Sequence, residues 1–277
     1  MVSSMTNWTE LLTAQTTIEP WFDAIASRLL NGVSLVVADQ RYRLVEIEFY
    51  HTSTDHPDPF SHCDPLQLEM ARWYFHRTRG SYRGGSFKGV DVTFSDGTYH
   101  GGALIRGIEG PDGKLIDGPS MTVDHLLKMT GKTKVSDLDK AIGGRKFWDP
   151  ENPLHLEWLD TPRESAIVRC GRVGLSLRKT PVTDLMTQFF LRRYRYLTEP
   201  RRTAKGKPSL VLALHAQGES PEAIHQLTGC PKASIVRYIA DYESGRVAAD
   251  FTPYHGGELN TGSLCKLHGT WQAVYGS

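Results

Sequence analysis

Residues 43–62 hold the side chains whose types and spacing fit acid–base work. They run Arg43-Leu-Val-Glu-Ile-Glu-Phe-Tyr50, pass a loop punctuated by Asp55, Pro57, Asp58 and Pro59, and end in Ser61-His62. Leu44, Val45, Ile47 and Phe49 are apolar with charges between them, the pattern of a strand. Glu46, Glu48 and Tyr50 are two apart, so on a strand they share a face. Two carboxylates on one face are hard to hide in a core, because each buried charge must be paired. Two readings follow. One is an edge strand with a solvated outer face. The other is the floor of a wet site, where a carboxylate acts as a base with an aromatic beside it and His62 reaching in from the loop.

A second stretch, 77–89, packs three arginines, one lysine, four glycines, a Tyr and a Phe into its length. Glycines let a backbone approach a ligand closely, Arg and Lys meet phosphates, and aromatics wedge between bases. Arg77, Arg79, Arg83 and Lys88 are the expected DNA contacts, with Tyr82 as the wedge. The plain alternative is a surface loop that needs its glycines.

The first stretch resembles the catalytic strand of the 3-methyladenine (alkyladenine) DNA glycosylase family, where Glu-x-Glu-x-Tyr is followed, after a loop, by a His near a Ser. Further landmarks come in the family's order. The apolar run at 101–109 ends in Arg106, two residues and Glu109. Gly118-Pro-Ser120 precedes a Leu-rich segment. Arg172-Val-Gly174 sits in a late strand, and Phe189, Phe190, Tyr194 and Tyr196 form a closing aromatic segment. The resemblance covers residues 25–198. It implies that Glu48 activates water, that Tyr50 and His62 contact a flipped base, and that Arg106 belongs to the same site. Asp91 falls near a family Asn that helps select the base. A carboxylate there only accepts hydrogen bonds, so a changed base preference is expected.

The resemblance thus implies a glycosylase that flips a base and hydrolyses its N-glycosidic bond, leaving an abasic site. No lysine nucleophile adjoins Glu48, so a monofunctional enzyme without lyase activity is expected. The partner would be double-stranded DNA carrying an alkylated purine (repair) or an enzymatically modified base of foreign DNA (antiviral defence). No cofactor is called for, and a monomer is expected. The Gly-rich loop departs from a more apolar family segment and could enlarge the pocket for a bulky base.

The elements that must position these residues are legible in part. Helix is expected over 7–30, with Trp21, Phe22, Ile25, Leu29 and Leu30 at helical spacing. A hairpin of 33–37 and 41–50 would open an antiparallel sheet. A helix is expected over 66–76, strands at 90–94 and 101–109, and a helix in 117–131. The fold class is α/β in the broad sense, specifically α+β: a single domain with a curved antiparallel sheet and surrounding helices, plus a small C-terminal helical module. The division is drawn at 1–200 and 201–277.

Residues 192–208 are strongly basic and read as the end of the domain and a linker. After them, 209–246 resembles a helix-turn-helix. Ser209 would cap a first helix, Ser220-Pro-Glu would begin a second, and 228–231 would form the tight turn. The third helix would place Ile235, Ile239 and Tyr242 inward, and Lys232, Ser234, Arg237 and Tyr238 toward DNA. This keeps a second function class open: a non-catalytic DNA-binding regulator. The residues after Phe251 carry no readable signal.

Composition excludes several classes. The 277 residues carry 32 Lys and Arg against 31 Asp and Glu, so any basic surface must be local. Four dispersed cysteines, at 63, 170, 230 and 265, are no disulfide framework. No signal-peptide pattern opens the chain, and no run approaches the roughly 18 apolar residues of a membrane span. An intracellular protein is expected, cytoplasmic or, in a eukaryote, nuclear. His51, His56, His62 and Cys63 are close in sequence, and Cys265 and His268 are spaced like a half-site. No complete four-ligand pattern exists, so no metal is expected.

Overall fold

The computed structural model describes residues 7–13, 17–178 and 181–276. The fold is α+β, and the chain forms two compact units: residues 1–57 with 61–167, and residues 58–60 with 168–277. The division therefore falls at 167, ahead of the boundary drawn at 200. The reason is packing. Cys170 and Leu197 are buried with Leu210, Val211, Leu214 and Ile224, so the late strands share a core with the C-terminal helices.

The first unit begins with α1 (Trp8–Leu12) and α2 (Ile18–Ser27), and a π-helical turn, Arg28–Gly32, ends α2. β1 (Val33–Val37) and β2 (Gln40–Thr52) are joined by Ala38 and Asp39, both at positive φ. That left-handed pair makes the two-residue turn whose twist suits a hairpin. β3 is Trp73–Phe75, β4 Arg77–Thr78, β5 Ser81–Tyr82, β6 Val90–Thr93, β7 His100–Glu109 and β8 Leu115–Asp117. α3 (Pro119–Met129), α4 (Val135–Ile142) and β9 (Leu154–Trp158) complete the unit. All pairings are antiparallel: β9 with β1, β1 with β2, β2 with β7, β7 with β6 and β8, and β6 with β3. β4 and β5 form a separate hairpin.

β2 is thus an interior strand, not an edge. One of its faces meets α2, where Phe49 stacks on Phe22 with ring centroids 4.3 Å apart and Trp21, His51, Phe94 and Tyr99 fill in. The expected helix over 66–76 is instead a short 3-10 turn, Pro65–Leu68, and strand β3. Ala71, at φ 65°, breaks the helix, and Trp73-Tyr74-Phe75 fit the pleat beside β6.

The second unit holds β10 (Val168–Cys170), α5 (Asp184–Phe190), β11 (Arg195–Leu197), α6 (Lys207–His215), α7 (Pro221–Thr228), α8 (Lys232–Ala248) and α9 (Thr261–Tyr275). Ser220-Pro-Glu begins α7 as expected, and the Ser220 hydroxyl caps it by accepting the Ala223 amide. Gly229 at φ 67° ends α7, and Cys230 and Pro231 complete the turn into α8. Ser209 does not cap α6. It lies inside the helix, buried, and its hydroxyl meets His268 Nε2 at 3.0 Å. The stretch after Phe251 is an ordered partner: α9 packs along α8 through Gly245 and Gly269. Among the described residues, no helix is long and apolar enough to cross a membrane.

Candidate active site

The pairing of β2, β7, β6 and β3 sets one row of side chains. Glu48 lies opposite Leu104, Leu104 opposite Asp91, and Asp91 opposite Tyr74. Residues opposite one another across a sheet project to the same side. Glu48, Asp91 and Tyr74 therefore share a face, with Tyr50 and Arg106 two residues along their strands.

Glu46 and Glu48 do share a face, but it is not a wet floor: both are buried. Burial is possible because a guanidinium comes with them. Arg106 Nε donates to Glu46 Oε1 at 2.7 Å, and Nη1 donates to Glu48 Oε2 at 3.3 Å. Tyr50 donates its hydroxyl to the same Glu48 oxygen at 3.0 Å. The register shifts of β2 against β7 fall on either side of Glu46, beside Arg106.

Asp91 is buried and held at both oxygens. His76 Nε2 lies 2.7 Å from Oδ1, and Gln67 Nε2 donates to Oδ2 at 3.2 Å. Gly102 makes room for this arrangement, since a Cβ there would sit 2.5 Å from Asp91 Oδ2. Neither His76 nor Gln67 stood out in the sequence. The available signal was a polar residue beside an aromatic run.

His62 joins the cluster from its loop. Its Nδ1 is 3.3 Å from the Tyr74 hydroxyl, and its ring meets His76 edge-on at 4.4 Å. Burial, with the nearby His76, pushes the His62 pKa down to about 4, so the ring is neutral at physiological pH. Burial, aided by Asp64 and Asp91, pushes the Tyr74 phenol up, which keeps its proton in place. A phenol donating to a neutral imidazole at Nδ1 puts the imidazole hydrogen on Nε2.

The basic stretch divides. Arg77 is not a free cation: it pairs with Asp139 of α4 at 2.7 Å and lies over the Tyr82 ring at 4.5 Å. Tyr82 is no wedge, because its hydroxyl donates to Asp139 at 2.6 Å and its ring is half-buried. Lys88 pairs with Asp124. Arg83 donates to Thr78 Oγ1 at 2.9 Å, and Arg79 is exposed at the tip of the β4–β5 hairpin. The aromatic left outside is Phe87, 73% exposed on the 3-10 turn Gly85–Phe87. That turn is braced on α3, where Ser120 donates to the Gly85 carbonyl at 2.9 Å and Asp124 holds Lys88. The flanking glycines were its signal.

Among the described residues, no group of three or more His, Cys, Asp or Glu side chains could hold a metal ion. The arrangement can orient a buried carboxylate beside a phenol and present a neutral histidine as donor.

No family model matches the chain. It is 33% identical over 209 residues to an uncharacterized protein of Acanthamoeba polyphaga mimivirus, covering 69% of this chain and 92% of that protein.

Proposed function

The chain belongs to the same family as that uncharacterized mimivirus protein, and from the geometry of the site we propose that it is a monofunctional DNA N-glycosylase. The observation that supports this reading best is the shared face of Glu48, Tyr50, Arg106 and Asp91. A base must leave the duplex to reach such a site, at a cost of a few kcal/mol. In this reading Phe87 fills the gap in the stack, and Arg79 and Arg83 hold the flanking phosphates. Glu48 is buried in the free protein; in this reading the flipped base opens the site to one water, from which Glu48 takes a proton while the water oxygen bonds to C1′ of the sugar. The glycosidic bond breaks, and its electron pair leaves with the base. The carboxylate also faces the positive charge that the sugar develops. Tyr50 and Arg106 hold Glu48 in position. His62 offers its Nε2 hydrogen to the base, and Asp91 shapes the choice of base.

The base is either an alkylated purine or an enzymatically modified base of foreign DNA, and a substrate panel separates the two. Duplexes carrying alkylated, deaminated, hydroxymethylated and glycosylated bases are incubated with the protein, then treated with alkali to cut abasic sites. Breaks in one lane, lost in a Glu48→Gln variant that circular dichroism shows to be folded, are expected. Intact strands in every lane with DNA still bound would favour the regulator reading, which the α7–α8 geometry keeps in play.

A further inference from the structure

The inner face of α8 is fixed by its core. Ile235 and Tyr242 are buried, and Tyr238 and Ile239 pack partly against Leu210, Leu212 and Leu214. Ser234 and Tyr238, expected to face a ligand, are half-buried, and Arg237 lies over the Tyr238 ring at 5.7 Å. What the helix does present is Lys232, Ala233, Val236, Arg237 and Ala240, all exposed, with Lys232 in a solvent-exposed pair with Glu222 at 3.2 Å that a phosphate can replace. Val236 is 59% exposed. A surface helix ordinarily places polar residues on its outer stripe. Here methyl groups stand between two cations, on the first half of a helix that follows a tight turn.

The positive charge around this face is anchored. Arg201 and Lys205 are exposed in the segment before α6. Arg201 Nη1 donates to the Gln226 carbonyl at 3.0 Å. Lys207 Nζ donates to the carbonyls of Pro200, Arg201 and Thr228, which ties the basic segment to the α7–α8 turn. A second copy of the chain is a poorer occupant. A two-fold contact centred on this face would bring the Lys232 and Arg237 charges of both copies together.

We propose that α8 enters the major groove of B-form DNA and reads thymine, with Val236 and Ala233 against the C5-methyl groups. Lys232 and Arg237 meet phosphate or guanine edges on either side. A major groove exposes one methyl at each A·T pair, and small apolar side chains are what contact it. The full-length protein then has a sequence preference of its own. This does not rest on base release, and the two fail separately.

The test begins with selection of bound duplexes from a random pool by the full-length protein. Affinity is then measured for the preferred site and for the same site with every thymine replaced by uracil, which removes only methyl groups. The protein is used both as wild type and as Glu48→Gln, so that turnover of uracil does not interfere. Uracil is expected to weaken binding about threefold or more per contacted methyl, the worth of roughly one buried methylene. Val236→Ser, an exposed change that leaves the melting temperature alone, is expected to erase the thymine–uracil difference. Lys232→Ala is expected to weaken all duplexes alike and to flatten the salt dependence. Equal affinity for thymine and uracil sites would overturn the proposal. So would a protein dimer that Val236→Ser dissociates.

Discussion

Arg106 serves two carboxylates and is closer to Glu46 than to Glu48. Arg106→Ala would leave both in a buried place without it, and breaking such a pair costs about 3–5 kcal/mol. The expected outcome is a large drop in melting temperature or no soluble protein. Arg106→Lys keeps a charge but loses the fork that reaches both glutamates, so it should fold and, under the proposed reaction, release base more slowly. The cluster also sets a pH dependence. The His62 pKa in the folded protein is about 4 against an ordinary 6.5. Between those values the unfolded chain binds a proton that the folded one refuses. The stability from burying the neutral ring is therefore complete above pH 6.5 and declines as pH falls toward 4. His268, pushed down to about 3 by burial and by Arg193, acts in the same direction and extends the loss. Melting temperature followed from pH 7 to 4 should fall less in His62→Gln than in the wild type. The sharing of a face by Glu46, Glu48 and Tyr50 was readable from a spacing of two. The burial of the two glutamates was not, because the residue that permits it lies 58 positions beyond Glu48. Tyr82 misled for the same reason, as its anchor Asp139 is 57 positions away.

At the level of elements, the α8–α9 crossing is the most exacting contact in the second unit. A Cβ on Gly245 would strike the Lys266 carbonyl, and one on Gly269 would strike the Tyr242 carbonyl. Both obstacles are backbone, so the helices must separate rather than repack. Gly245→Ala and Gly269→Ala should each cost at least about 1–3 kcal/mol, the usual scale of overpacking, read as a lower melting temperature by far-ultraviolet circular dichroism. Gly269 also helped to hide α9 from the sequence. Glycine costs about 1 kcal/mol inside a helix, so a segment that needs it for close approach looks like a poor helix. The turn into α8 was legible because Ser220, Gly229 and Pro231 act locally, through a cap, a left-handed residue and a fixed φ. β2 and β6 were legible by alternation, and β7 as an apolar run. β3 was not, since three consecutive aromatics suit a strand or a buried helix and only pairing with β6 decides.

On the scale of the whole chain, residues 58–60 belong with 168–277 although they lie in the first third of the sequence. Asp58 meets Arg172 through two hydrogen bonds, at 2.5 and 3.2 Å, with both side chains buried, and Phe60 packs against Phe190. The fragment 168–277 expressed alone would bury Arg172 without that carboxylate. It should be unfolded by circular dichroism, and Arg172→Met should recover helical signal, because an apolar residue of similar volume replaces a buried pair at little cost. A wild-type fragment as stable as the intact chain would show that Asp58 is dispensable. The arrangement also bears on synthesis. Asp58 leaves the ribosome 114 residues ahead of its arginine, an interval of about 6–23 s at the usual 5–20 residues per second. During that time the sheet of the first unit can close while a charged three-residue loop waits for a partner not yet translated. The last core of this protein is therefore completed by a segment made among the first.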